Sequence, residues 1–191
     1  MKDDVTLDAP GAGLPGIESW VARLVFPLVG KLRSPKAFAR LFEKESELIL
    51  DLVKGMDEAT GSKRVLINRI RGIEDSSRQW SIFMTLEHLA VVNHGIARTI
   101  ESLRQGKAPN LKVRIEDVKP DPGAGPETVE KFVESLEPIR KAGEGIEKVQ
   151  TRIGHKHPWF GEISARQWYA LSAAHLGIHR RQIELIIEGL G

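Results

Sequence analysis

The chain has 191 residues, 41% of them hydrophobic and 28% charged, with a formal net charge of +2. That length favours one domain with a full core, and the composition excludes a disordered or membrane-embedded chain. Charges of both signs are interspersed, which excludes a nucleic-acid-binding footprint, and the lack of cysteine excludes disulfides, thiolate metal sites and cysteine nucleophiles.

The start, Met1-Lys2-Asp3-Asp4, is acidic and runs into a Gly/Pro-rich stretch, unlike a signal peptide, so the cytoplasm is the expected compartment. Residues 1–16 read as a flexible arm. Ile17, Trp20, Val21, Leu24, Val25, Leu28 and Leu32 then recur at helical spacing. Interleaved charges and Pro27 argue against a transmembrane helix. A segment folded onto the domain or across a homodimer is expected here, with a membrane-surface helix as the alternative. Residues 1–34 are thus an N-terminal arm with an apolar segment, and 35–191 a helical bundle domain.

Ser34-Pro35 supplies a helix cap and a proline at the first helical position, and predicts a helix from Pro35 to Lys54, stopped by Gly55. Val65–Ile70 fits a short strand, a short helix or an ordered crossover. A second long helix is predicted from Trp80-Ser81 to Gln105, ended by Gly106. On it Met84, Thr85, Val91, Val92, Gly95 and Thr99 share the face of His88, while His94 projects about 120° away. Gly95 would let a neighbouring helix approach closely. Residues 106–125 read as a long loop, with Leu111–Ile115 as a brief extended piece. Pro126 opens a third helix, which Pro138 should kink or interrupt, with Ile146, Val149 and Ile153 suggesting continuation to Gly154. His155–Gly161 reads as a compact loop of aromatics and histidines. Ser164 and Gln167 form a capping box that opens the last helix. The count is four principal helices, a mainly α, up-and-down-type four-helix bundle with an N-terminal extension.

In the last helix Trp168, Leu171, Ser172, His175, Ile178, His179, Gln182 and Ile186 share one face. His175 and His179, four residues apart, therefore point into the same interior as His88. Three imidazoles suit a divalent metal such as Zn, Ni or Fe, and two ligands from one helical turn with one from a facing helix is how bundles assemble such sites. The competing reading is three ordinary buried histidines with hydrogen-bond partners. Leu176 after His175 replaces the glutamate of a zincin motif, which argues against metalloprotease chemistry. Gln182 could bond a ligand or orient a histidine. His157 could approach an open metal position, although packing explains it as well, and Trp168 is core or a pocket wall. Glu87 projects away from His88 and fits a solvated or supporting role.

Trp80-Ser81 leading into Leu86-Glu87-His88-Leu89, followed downstream by His175-x-x-x-His179-x-x-Gln182-Ile183, resembles the DinB/YfiT-like superfamily. The resemblance covers roughly residues 36–190. His157-Pro158-Trp159-Phe160-Gly161 further resembles a branch of unknown function with an H-P-[FW]-F-G segment. The resemblance implies a four-helix bundle with metal-binding histidines at His88, His175 and His179. It also implies a metal-dependent hydrolase or thiol S-transferase acting on a small-molecule substrate. Any low-molecular-weight thiol would come from outside the chain. A non-catalytic binding or association protein is the alternative.

Overall fold

A computed structural model describes residues 6–9, 11–16, 18, 20, 23–24, 33–110, 114–149 and 153–191. Much of the apolar segment, including Ile17, Val21, Pro27 and Leu28, lies outside the described residues, as do residues 111–113 of the suggested extended piece.

Four long helices carry the fold: α1 (Pro35–Val53), α2 (Ile82–Arg104), α3 (Glu127–Gly143) and α4 (Ala165–Leu190). Their starts are chemical. The Ser34 and Ser81 side chains accept from the N–H groups of Ala37 and Met84, and Ser164 with Gln167 makes the reciprocal capping box. Gly55 and Gly106, both with positive φ, follow the ends of α1 and α2. The most extensive packing runs α1 on α4, α4 on α2 and α2 on α3. α4 thus packs against both α1 and α2. Between them Phe42, Ile49, Phe83, Leu86, Phe132 and Leu176 are essentially inaccessible to solvent, a core that drives association of the apolar helix faces.

Three expectations are corrected. The third helix ends at Gly143 rather than continuing toward Gly154; a short 3-10 turn at Ile146–Lys148 follows. Gly145, in the left-handed conformation, turns the chain out of the helix. Pro138 lies within α3 without ending it, because Phe132, Leu136 and Ile139 on either side of it are buried in the core. The expected loop of histidines and aromatics is a β-hairpin, β1 (Gly154–His157) paired antiparallel with β2 (Gly161–Ser164). Gly161 at φ 72° closes its turn.

Val65–Ile70 is an ordered crossover. The N–H groups of Val65 and Ile67 donate to the carbonyls of Trp80 and Arg78, which clamps the α1–α2 connection against the start of α2. Gly61 belongs to this connection; a Cβ there would lie 2.3 Å from the Phe83 ring, so only glycine permits the approach. Among the described residues no helix is long and apolar enough to cross a membrane.

Candidate metal centre

The face-sharing of α4 and the inward face of α2 bring His88, His175 and His179 together. One ring nitrogen from each lies within 4.8 Å of the others, and the ring centroids are 4.4–5.0 Å apart. His88 and His179 are buried and His175 is half-buried. Trp80, just before α2, stacks almost parallel on His179 at 6.1 Å and tilts against His88 at 5.1 Å. The three rings sit in a largely apolar cup.

The hydrogen bonds around the cup fix two of the three tautomers. His88 Nδ1 lies 2.6 Å from the carbonyl oxygen of Val118. A carbonyl can only accept, so Nδ1 carries the proton and Nε2 keeps a lone pair. His179 Nδ1 lies 2.7 Å from Oε1 of Gln182, whose Nε2 donates to the carbonyl of Ser77 at 2.7 Å. Because Ser77 requires the amide nitrogen, Gln182 presents its oxygen to His179, which donates from Nδ1 and likewise keeps its Nε2 lone pair free. His175 has neither constraint. Its Nε2 lies 3.1 Å from His88 Nε2, and its buried Nδ1 has no partner. A lone pair on His88 facing His175 needs either a proton on His175 Nε2 or a cation between the rings.

Burial holds all three imidazoles neutral at ordinary pH. It pushes His88 down to about 4, with the nearby Lys119 ammonium adding to the effect against the Val118 hydrogen bond. His175 and His179 are likewise held well below the usual range, by burial first and by a neighbouring histidine second, His179 acting on His175 and His88 on His179. Unprotonated imidazoles with free lone pairs are the form that binds a metal. The donor set also fits by spacing: two nitrogens bound at about 2.0–2.1 Å to a tetrahedral ion lie about 3.3 Å apart, near the His88–His175 separation.

Loops hold these supports in place. Glu87 on α2 accepts from the N–H of Asp121 at 2.6 Å, tying down the segment that delivers the Val118 carbonyl. Lys119 donates to Glu74, Ser76 and Ser77 and lies 5.3 Å above the Trp80 ring. Glu74 also accepts from the N–H groups of Gly11 and Gly13. Its carboxyl would be raised by burial, but Lys119 and these amides hold it below its ordinary range. Val118, Ser77, Lys119 and Glu74 are absent from the sequence reading, because backbone carbonyls and loop lysines leave no periodic signal.

His157, in β1, accepts at Nδ1 from the N–H of Trp159 at 3.1 Å and stacks on Phe160 at 4.6 Å. Burial and then His155 push its ring down to about 3, so it is neutral with its proton on Nε2. Trp168 is 3% exposed, lies 5.3 Å from His157, and has an indole N–H without a partner. The three clustered histidines, His157 and Trp168 line a cavity of about 1470 Å³ that opens between α2, α4, the hairpin and the N-terminal arm. Gln182 is fully buried behind His179 and does not line it. Gly95 also differs from expectation: a Cβ there would meet nothing within 4 Å, so it faces the cavity and not a helix. The arm reaches this rim. Glu18 pairs with Arg69, and Arg23 donates to the Trp159 carbonyl.

Comparison with known proteins agrees with this architecture. The solved four-helix bundle protein TT2238 superposes with a TM-score of 0.51 at 20% identity, over 79% of this chain and 98% of that one. No curated protein matches the chain. A sequence profile of the DinB superfamily matches residues 41–183, a span that begins within α1, ends within α4 and includes all three clustered histidines, and the chain belongs to that superfamily.

Proposed function

We propose that His88, His175 and His179 hold a divalent metal through their Nε2 atoms and that the protein is a metal-dependent enzyme of the hydrolase or thiol S-transferase kind. The observation that carries this reading is the pair of locked tautomers. The Val118 carbonyl and the Gln182 amide oxygen aim two Nε2 lone pairs into the same cup as His175. Three neutral nitrogen donors suit Zn, Ni or Fe, and leave coordination positions for a small ligand. When bound, such an ion supplies Lewis acidity that lowers the pKa of a coordinated water or thiol.

The chain's own residues have definable parts in this reading. Val118 and Gln182 orient His88 and His179 and keep their protons off the Nε2 atoms. Trp80 excludes water from one side of the rings. His157 presents an Nε2–H, and Trp168 an unpartnered indole N–H, as donors on the cavity wall. The cysteine-free chain requires any thiol to arrive as a cosubstrate.

Untagged protein should bind one equivalent of metal per chain, measured by elemental analysis after dialysis, and His175→Ala should bind none. The loaded protein should then turn over an ester, an amide or an electrophile offered with a thiol. Metal uptake without any turnover favours the alternative, a binding protein built on the same site. Equal uptake by the wild type and the His175→Ala variant excludes the site.

A further inference from the structure

One stripe of α2 lines the cavity along its length. His88, Val91, Val92, Gly95, Arg98 and Ser102 all face it, which is the recurrence expected of a single helical face. His88 and Arg98 are ten positions apart, so the stripe extends about 15 Å at the helical rise of about 1.5 Å per residue. Its middle is apolar and open. Val91 is 41% exposed although hydrophobic, and Gly95 leaves empty space where any other residue would put a side chain. Ile178 and Leu171 on α4 line the cavity opposite. An exposed valine beside a bare glycine on an inward-facing stripe marks a channel rather than a packed core.

Arg98 stands at the far end of this stripe, and the cavity as a whole carries more positive than negative charge. The three carboxylates lining the cavity, Glu18, Glu74 and Asp117, are each matched by a cation, Arg69, Lys119 and Arg114 respectively. Arg33, Arg71 and Arg98 line it as well and make no salt bridge among the described residues. The cavity therefore has an apolar body with three guanidinium groups in excess.

We propose that the channel binds an elongated organic anion, with its apolar body along Val91, Val92 and Gly95, its anionic group at Arg98, and its other end at the three histidines. The orientation rests on the metal-site reading above, whereas the binding itself does not. The excess guanidinium charge around the cavity favours an anion over an uncharged or cationic chain. A compact polar solute would leave the apolar stripe wet.

The test uses full-length protein, freed of metal, titrated calorimetrically with decanoate and with decyltrimethylammonium. Decanoate should bind and the cation should not. Gly95→Phe, which fills the channel where no atom now stands, should displace two or three methylenes and weaken decanoate about 20-fold. Val91→Trp, at an exposed position, provides a second obstruction should Gly95→Phe fold poorly. Arg98→Glu should weaken decanoate about fivefold and narrow the preference over the cation. Metal uptake is measured in parallel and should be unchanged in all three variants. Failure of decanoate to bind, equal binding of the cation, or indifference to both channel-filling variants would overturn the proposal. If metal uptake fails while decanoate binding follows this pattern, the channel stands and the metal reading falls; the converse removes the channel alone.

Discussion

Gln182 offers the sharpest single test of how the site is organised. It is 0% exposed and makes two bonds of 2.7 Å, accepting from His179 Nδ1–H and donating to the Ser77 carbonyl. Gln182→Leu keeps the volume and removes both. Each orphaned buried group costs about 1–3 kcal/mol, and burial of the leucine offsets part of this, so a loss of about 2–4 kcal/mol is expected in chemical denaturation. Metal affinity should fall about 10–100-fold, because the His179 ring loses the acceptor that fixes its tautomer. Gln182→Glu separates the two bonds. A carboxylate still accepts from His179 but cannot donate to Ser77, so stability should fall while metal affinity stays within about threefold of wild type. Affinity is read by competition with a chromophoric chelator, and stability on the metal-free protein. Wild-type affinity in Gln182→Leu, or equal losses in both variants, would refute the assignment of Gln182 as the orienting partner.

Other expectations follow from single observations. Metal at about 100 times its dissociation constant should stabilise the wild type by about 2.7 kcal/mol and leave the melting temperature of His175→Ala unmoved. Because His175 is half-buried with an unpartnered Nδ1, that variant should lose only about 1–2 kcal/mol when metal-free. Gly61→Ala places a Cβ 2.3 Å from the Phe83 ring; the denaturation midpoint should drop by an amount equivalent to about 1–3 kcal/mol, and an unchanged midpoint would mean that the ring relocates freely. Glu74 has a folded-state pKa held below its ordinary 4.5 by Lys119 and by the Gly11 and Gly13 amides, against the effect of burial. Its contribution is therefore complete above about pH 4.5 and is lost as pH falls through the lower folded value. Amide exchange should show Gly11 and Gly13 losing protection in that acid window before the core of α2 does, and Glu74→Gln should abolish the pH dependence of that protection.

The helices were legible because their signals are local. Ser34, Ser81 and Ser164 act on N–H groups within three residues, and the apolar periods of α2 and α4 name their buried faces directly. The same periodicity placed His88, His175 and His179 on inward faces, and the packing of α2 on α4 did the rest. The hairpin was not legible. His155-Lys156-His157 and Glu162-Ile163-Ser164 are too short to show alternation, and their pairing is stated only by the register His155 to Ile163. Gly95 is ambiguous in sequence for a related reason: whether a glycine on an inward face meets a helix or a cavity depends on neighbours distant in sequence.

The division between helices and loops bears on what the fold can determine. The bundle supplies three imidazoles, but the tautomers of two of them are set by atoms from elsewhere in the chain. The Val118 carbonyl comes from the α2–α3 connection, and the Ser77 carbonyl, acting through Gln182, comes from the α1–α2 connection. Lys119 binds these connections to each other by donating to Ser76 and Ser77 from the residue next to Val118. A substitution in either loop can therefore shift two histidines without touching them. A shared bundle does not by itself fix a shared reaction. In this chain the excess guanidinium groups, the bare Gly95 and the donors His157 and Trp168 also sit around the cavity, outside the three-histidine set. On the proposed reading, the reacting group is a matter for the histidines and their carbonyl supports, and the choice of substrate is a matter for the channel walls. Lesions in the two should separate kinetically, with Gly95→Phe raising KM for elongated substrates and Gln182→Leu lowering kcat for all of them.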